Sequence, residues 1–173
     1  MTGDTQRPLS SLGRGAPVLA ALALVAADQA TKMIIVSRFH MNESLEVIPG
    51  FFSIVYIRNR GAAFGMLSNI EGEWVSRGFM IVALVAIVAI AVLYRSLPSE
   101  DRASRASLVL IGSGALGNLI DRARYGSVTD FLLFYIGEYQ WPAFNVADSC
   151  ITIGVFILGY ALMTTPPKKK KPF

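Results

Sequence analysis

The sequence is poor in charge, in cysteine and in histidine. Only 16% of its 173 residues are charged, and it contains one cysteine and one histidine. A single cysteine excludes an internal disulfide, and we predict that Cys150 is a small packing residue on an apolar helix. The lone His40 stands in a polar stretch without a second metal-type ligand nearby. We therefore expect no metal and no cofactor.

Apolar residues, in contrast, are abundant. They make up 53% of the chain, and the mean hydropathy is +0.50, which is too apolar for a soluble domain of this size. Seventeen uncharged residues, GFMIVALVAIVAIAVLY, separate Arg77 from Arg95, and as a helix they cover roughly 26 Å. Three other apolar segments have polar residues at an end. The sequence predicts a mainly α membrane protein, one domain over residues 1–173, with spans at about 17–36, 78–95, 105–121 and 144–164.

The loops between these spans have their own patterns. The outer loops are predicted at 37–77 and 122–143. Within the first, FFSIVYI follows a Pro-Gly turn signal and predicts a strand of a small extramembrane sheet, with SLEVI as its candidate partner. The glycines and the interfacial Trp74 of segment 71–78 indicate a mobile lid over the site. A short interfacial helix is also expected on the outer side. In the third span, Gly114 and Gly117 predict close helix packing.

Basic residues set the expected orientation. Arginines followed by an apolar stretch are typical of a signal peptide. Apolar residues continue past Asp28 to Val36, however, so we expect the first helix to be retained. Four spans place both termini on one side, which collects nine basic residues against six on the other. Both termini are therefore predicted to be cytoplasmic. The lysines in the basic tail, 165–173, are better explained by orientation and anionic lipids than by nucleic acid.

Ionisable residues near the ends of the spans need an explanation, because a charge at membrane depth costs about 2.5 to 3.5 kcal/mol unless it is paired. Asp28 and Lys32 lie four residues apart on one helix face, which predicts an ion pair. Asn118, Asp121 and Arg122 share a face of the third helix. The guanidinium of Arg122 has donors that can hold a carboxylate, so Asp121 is expected to stay ionised and structural.

Asp130 and Asp148 stand on either side of the second outer loop. If both ends of that loop lie at the outer surface, the two carboxyls can meet. Two carboxylates in one semi-apolar site share a proton, so one can act as base and the other as acid to activate water against an amide. A structural alternative remains open, in which Asp130 ends a loop and Asp148, one turn after Asn145, favours the start of a helix.

Two other function classes are compatible with intramembrane acids. Proton-coupled transporters and channels also use buried carboxylates, although their acids are distributed through the membrane depth, whereas these cluster towards the outer ends of the spans. A non-catalytic membrane scaffold would tolerate asparagine at Asp130 and Asp148. The response to those substitutions separates the classes.

Five motifs occur in order along the chain: DQATK at 28–32, RNRGAAFG at 58–65, GSGALGNLIDR at 112–122, VTDF at 128–131 and FNVADSC at 144–150. Together they resemble the bacterial lipoprotein signal peptidases, also called type II signal peptidases. The resemblance implies an aspartic endopeptidase of the bacterial cytoplasmic (inner) membrane. Such an enzyme removes signal peptides from prolipoproteins by hydrolysing the bond before a diacylglyceryl-modified cysteine.

The resemblance also assigns roles to individual residues. It carries the catalytic pair onto Asp130 and Asp148, near the outer face of the membrane. The family's substrate-binding and supporting positions map onto Asp28, Lys32, Asn59, Gly61, Asn118, Asp121, Arg122 and Asn145. The implied partners are diacylglyceryl-prolipoproteins and membrane lipids, without nucleic acid, and we expect a monomer.

Overall fold

Four long helices form the membrane part of the protein. A computed structural model describes residues 11–61 and 73–164, with the side chains of residues 15–61 and 75–164. The helices are α1 (Ser11–Arg38), α2 (Glu73–Ser96), α3 (Arg102–Tyr125) and α4 (Val146–Thr164). Each is long and apolar enough to cross a membrane, and large apolar side chains such as Val82, Val85 and Phe156 are exposed on the outside of the bundle. The prediction of four spans is confirmed.

The ends of α3 follow from its sequence. Asp101 caps the first turn, where its Oδ1 accepts a hydrogen bond from the backbone N–H of Ser104 at 3.0 Å. At the other end, Gly126 adopts a left-handed conformation (φ 67°) and donates its N–H to the carbonyl of Arg122. The helix therefore continues past Asp121, the predicted end of the span, because glycine rather than the preceding charges stops it.

An antiparallel sheet lies at one end of the bundle. Its strands are β1 (Ser44–Ile48), β2 (Phe52–Asn59), β3 (Val128–Ile136) and β4 (Tyr139–Gln140), in that order across the sheet. We predicted β2 and its partner β1, but assigned β3 and β4 to the second outer loop. The run FLLFYI within β3 does not alternate in polarity, so periodicity could not identify it as a strand.

Glycines bring the helices together around α3, which packs against the other three. A Cβ on Gly114 would collide with the backbone carbonyl of Ala147, and one on Gly117 would lie 2.6 Å from the Oδ2 of Asp28. Gly154 of α4 faces α3 in the same way, since an added Cβ would lie 2.9 Å from the carbonyl oxygen of Ser107. The predicted close packing through Gly114 and Gly117 is confirmed.

Three parts of the prediction fall wholly or partly outside the described residues. They are the small-residue run 62–65, the lysines of the tail and the first residues of the predicted lid, 71 and 72. From Glu73 onward the predicted lid is part of α2. The short interfacial helix and the motion of the lid therefore stay predictions.

Candidate active site

Buried charges of both signs gather where α1 and α3 meet near the sheet. The Nζ of Lys32 lies 2.9 Å from the Oδ2 of Asp28 and 3.4 Å from the Oδ2 of Asp121, and it donates a 3.0 Å hydrogen bond to the Oδ1 of Asn118. Asp28 and Asp121 are each 1% exposed and Lys32 is 3% exposed. We call these four residues the lysine cluster. The predicted pair of Asp28 and Lys32 is confirmed, and one ammonium serves two carboxylates.

The first turn of α4 positions Asp148. The Oδ1 of Asn145 accepts the N–H of Asp148 at 2.9 Å, and the Oδ2 of Asp148 accepts the N–H of Asn145 at 3.2 Å. This reciprocal pattern is a capping box, which satisfies two backbone donors at the start of a helix. A third N–H of this helix start, that of Ala147, donates to the Oδ1 of Asp28 at 2.9 Å. The lysine cluster thus holds the helix end that carries Asp148.

Strand pairing positions Asp130. In the β2 and β3 register Ile57 lies opposite Asp130 and Asn59 opposite Val128, after a bulge between Ile54 and Ile57. Residues two apart on a strand share a face, so Asn59 is a diagonal neighbour of Asp130. The Nδ2 of Asn59 donates to the Oδ2 of Asp130 at 2.9 Å.

A single asparagine connects the two aspartates. The Nδ2 of Asn145 donates to the Oδ1 of Asp130 at 2.8 Å, while the main chain and Oδ1 of the same residue form the capping box with Asp148. Asn118 reaches the second aspartate from α3, with its Nδ2 2.8 Å from the Oδ1 of Asp148. We call Asp130 and Asp148 the aspartate pair. Among the described residues, Lys32 forms its ion pairs with Asp28 and Asp121 and not with this pair.

Burial and the neighbouring acid change the protonation of Asp130. Its side chain is almost fully buried, at 2% exposure, whereas Asp148 is half-buried. Desolvation and the charge of Asp148 raise the pKa of Asp130 to about 7, against the hydrogen bonds from Asn59 and Asn145, which lower it. One proton can therefore stay on the pair near neutral pH.

Arg122 and Gly61 both contact Phe79. The guanidinium of Arg122 lies over the ring of Phe79 at 5.2 Å, and Asp121 is held by Lys32 instead. The expectation that Arg122 holds Asp121 is wrong, because among the described residues no ion pair joins them and Arg122 interacts with Asp121 only through its charge. Gly61 has φ 108°, and its N–H donates to the Oδ1 of Asn59 at 2.8 Å. A Cβ there would collide with the ring of Phe79.

Sequence reasoning missed two residues that complete the lysine cluster. The Nε2 of Gln29 donates to the Oδ2 of Asp28 at 3.1 Å and to the Oδ1 of Asp121 at 3.0 Å. The N–H of Thr129 donates to the Oδ2 of Asp121 at 2.8 Å. Gln29 lies inside the motif DQATK, which was the available signal. The contact of Thr129 is made by its backbone, so its side-chain chemistry held no signal.

Comparison with known proteins gives a consistent result. Residues 20–164 match the family model Peptidase_A8, described as Signal peptidase (SPase) II. The lipoprotein signal peptidase of Geobacter metallireducens is 46% identical over 155 residues, covering 89% of this chain and 93% of that protein. The lipoprotein signal peptidase of Geobacter sulfurreducens is 47% identical over 154 residues, with the same coverage of each chain.

The fold agrees with a solved structure as well. A bacterial membrane enzyme determined by the in meso method at 2.3 Å resolution has a TM-score of 0.78 and 36% identity, covering 92% of this chain and 95% of that one. The family model spans most of the chain, and the match to the Geobacter metallireducens protein covers 93% of its length. The protein therefore belongs to the signal peptidase II family of membrane peptidases.

Proposed function

We propose that this protein removes signal peptides from prolipoproteins and that the aspartate pair is its catalytic centre. The observation that carries the assignment is the arrangement around Asn145, which binds Asp130 through its side chain and Asp148 through a capping box. Two carboxyls are thus brought to one asparagine, and neither forms an ion pair with any residue that the structure describes. This is the arrangement in which one proton is shared and both acid and base are available.

The two aspartates have different surroundings, and these suggest their roles. Asp148 lies in the first turn of α4, where the helix dipole favours negative charge, and it accepts hydrogen bonds from Asn118 and from the backbone of Asn145. Asp130 is more deeply buried and has its pKa raised to about 7 by desolvation and by Asp148. We assign the base to Asp148 and the shared proton to Asp130.

The reaction then needs only these two groups and water. Asp148 takes a proton from water as the water oxygen attacks the peptide carbonyl carbon. The carboxyl of Asp130 donates its proton to the carbonyl oxygen, which stabilises the tetrahedral intermediate. When the intermediate collapses, the C–N bond breaks, Asp148 returns its proton to the leaving amine, and Asp130 recovers its own from the hydroxyl. The products are a carboxylate terminus and the amine of the new N-terminal residue.

The substrate class and the membrane orientation are part of the same proposal. The substrate is a prolipoprotein whose cysteine carries a diacylglyceryl group, and the cleaved bond precedes that cysteine. The protein lies in the bacterial cytoplasmic membrane as a monomer, with both termini cytoplasmic and the sheet outside. The excess of basic residues on the terminal side supports this orientation. Protease cleavage of the sheet in intact spheroplasts tests it.

A gel-shift assay on a purified diacylglyceryl-prolipoprotein tests the catalytic assignment. We expect Asp130→Asn and Asp148→Asn each to lower the cleavage rate about 10²- to 10⁴-fold, the range for loss of a general acid or base. Asp101→Asn is the matched control, because asparagine also caps a helix well and Asp101 lies at the start of α3. Cleavage at a near wild-type rate by either aspartate-pair variant contradicts the mechanism. Equal cleavage of a substrate without diacylglyceryl contradicts the proposed specificity.

A further inference from the structure

Two apolar grooves lie at the end of the bundle opposite the sheet. Within the described residues, α1 and α2 each pack against α3 but not against one another, which leaves an opening between them. We call this opening the α1–α2 groove. Its volume is about 310 Å³, and its lining includes Val18, Leu22, Ile87, Ile90 and Gly112.

A second groove adjoins the first. We call it the α1–α3 groove, because Ala16, Ala20 and Leu24 of α1 and Leu110 of α3 line it, and its volume is about 500 Å³. Both volumes are within the roughly 300 to 1,000 Å³ of small-molecule sites. The two grooves therefore form one branched surface, whose shared lining residues are Pro17, Tyr94 and Val109.

The charged residues of both grooves gather at one end. Arg95 lines the α1–α2 groove, and Arg102 and Arg105 line the α1–α3 groove. None of the three forms an ion pair with a residue that the structure describes. The nearby acids Glu100 and Asp101 line neither groove, and Asp101 caps α3. An anion with several acceptor oxygens therefore complements this end of the grooves.

Arg105 is held in place by the protein. Its Nη1 donates to the carbonyls of Tyr94 at 3.3 Å and Leu97 at 3.0 Å, and its guanidinium lies over the Tyr94 ring at 4.1 Å. Because Tyr94 lines both grooves, the guanidinium is fixed where they meet. A group that is already fixed loses less conformational entropy when it binds an anion.

The ends of three helices give the depth of these arginines. One candidate span begins at Gly15, the next ends at Ser96 and the third begins at Arg102. The arginines thus lie at the level of the lipid headgroups, and the apolar parts of the grooves extend from there into the hydrocarbon region. Basic pockets between transmembrane helices at this level suit anionic headgroups.

The grooves are separate from the site described above. No lining residue of either groove is among the predicted catalytic, substrate-binding or supporting positions. Along α3, the distance from Arg105 to Asp121 is roughly 24 Å. The signal peptide of the substrate does not suit the arginine end, because the n-region of a signal peptide is itself basic.

We propose that the two grooves together bind one anionic diacyl phospholipid of the membrane. Its phosphate lies against the guanidiniums of Arg102 and Arg105, and one acyl chain follows each groove. Two apolar grooves that meet at a basic end match the two chains and the single headgroup of such a lipid. The site does not depend on which residues cleave the peptide bond.

Native mass spectrometry of the full-length protein from nanodiscs with equal amounts of phosphatidylglycerol and phosphatidylcholine tests the headgroup contact. The wild type is expected to retain phosphatidylglycerol, and the double variant Arg95→Gln/Arg102→Gln to retain about tenfold less. Both arginines are exposed and form no ion pair within the described part of the chain. The unfolding midpoint in lipid-free neutral detergent should therefore stay unchanged.

Arg38→Gln/Arg124→Gln is the matched control, since it removes two exposed arginines at the sheet end of the bundle. Its retention of phosphatidylglycerol should equal that of the wild type. Equal retention by the wild type and the Arg95→Gln/Arg102→Gln variant overturns the proposal, and so does an equal loss in the control.

Substitutions that fill the grooves test the acyl chains. Ala21 lines the α1–α2 groove and Ala20 the α1–α3 groove, so Ala21→Phe and Ala20→Phe should each lower phosphatidylglycerol retention several-fold. Ala23→Phe is the control, because Ala23 is exposed on the same helix and lines neither groove. Retention of the lipid by both groove variants at the wild-type level contradicts the proposal.

The same spectra report the competing occupant, a second copy of this chain. Such a copy would appear as a dimer whose fraction falls in Ala21→Phe, without preference for phosphatidylglycerol over phosphatidylcholine. That result assigns the grooves to self-association and overturns the lipid site.

Discussion

Two pairs of carboxylates lie at the same end of the bundle, and in the described part of the chain only one pair forms ion pairs with a cation. In the lysine cluster, Lys32 contacts both Asp28 and Asp121. In the aspartate pair, Asp130 and Asp148 receive hydrogen bonds from neutral asparagines. Burial alone therefore does not set the chemistry of an acid, since Asp28, Asp121 and Asp130 are all buried and differ in their partners. The acids of the lysine cluster have a cation as their partner, whereas desolvation and the charge of Asp148 raise the pKa of Asp130.

Asparagines connect the two regions. Asn118 accepts from Lys32 through its Oδ1 and donates to Asp148 through its Nδ2. The Nδ2 of Asn145 lies 3.3 Å from the same Oδ1 of Asn118 and 2.8 Å from the Oδ1 of Asp130. The charged cluster thus orients both amides, because the ammonium fixes which end of Asn118 is the acceptor. The lysine cluster therefore supports the aspartate pair.

Removal of the cation has the largest expected effect. Lys32→Met leaves Asp28 and Asp121 buried without compensation, so we expect a loss of about 3 to 5 kcal/mol in the free energy of unfolding. The measurement is unfolding of the purified protein in detergent. Gln29→Met is the control, because it removes hydrogen bonds from the same two carboxylates without removing charge. If the two variants unfold alike, the ion pairs are not what stabilises the cluster.

Crowding of the cluster comes next. Gly117→Ala places a Cβ 2.6 Å from the Oδ2 of Asp28 and 3.2 Å from the Cβ of Ala147. Asp28 cannot move freely because it is held by Lys32 and by the N–H of Ala147. We expect destabilisation of about 1 to 3 kcal/mol, measured by thermal unfolding. Gly159→Ala on α4 is the matched control, since its Cβ meets nothing within 4 Å. An equal loss of stability in that variant would show that crowding at Asp28 is not the cause.

The pH dependence of cleavage probes the aspartate pair. The pKa of Asp130 is raised to about 7, so its proton is present below that pH and lost above it, and the rate should fall as pH rises through about 7. The hydrogen bond from Asn59 lowers this pKa. Asn59→Ala should therefore move the alkaline limb to higher pH, by on the order of one unit. The position of the limb is the readout, whatever the maximal rate.

Ser53→Ala is the control for that profile. Ser53 lies on the same strand, and its hydroxyl donates to Tyr135 rather than to Asp130. Its limb should stay at the wild-type position. A shift of the Asn59→Ala profile to lower pH would show that Asp130 does not carry the proton that is lost.

An acid outside both regions should matter least. Glu46 lies at the solvent-exposed edge of the sheet, and its pKa is lowered by hydrogen bonds from Tyr135 and from the N–H of Gly50. Tyr135→Phe removes the first of these where water can replace it. We expect no measurable change of the unfolding midpoint at neutral pH. A loss comparable to that of Gly117→Ala would remove the distinction between buried and exposed acids.

Much of the fold follows from local patterns. The four spans, the pair of Asp28 and Lys32 and the close approach at Gly117 depend on hydrophobic length, on spacing of four residues and on residue size. Strands β3 and β4 were missed because their residues lack a local polarity pattern. The partner of Asp121 was misassigned because neighbouring side chains on a helix project about 100° apart, and the sequence does not show that Lys32 of α1 packs against Asp121.

The amino-acid sequence is sufficient to predict a four-span membrane peptidase and the residue types available to its site. Its motifs also indicated Asp130 and Asp148, whose catalytic role stays a prediction. The ion-pair and hydrogen-bond partner of each acid, in contrast, depends on the tertiary structure. Asn59, Asp130 and Asn145 meet because β2 pairs with β3 while α4 begins beside them. Protonation depends on those distances and on burial, and both arise when distant segments pack together.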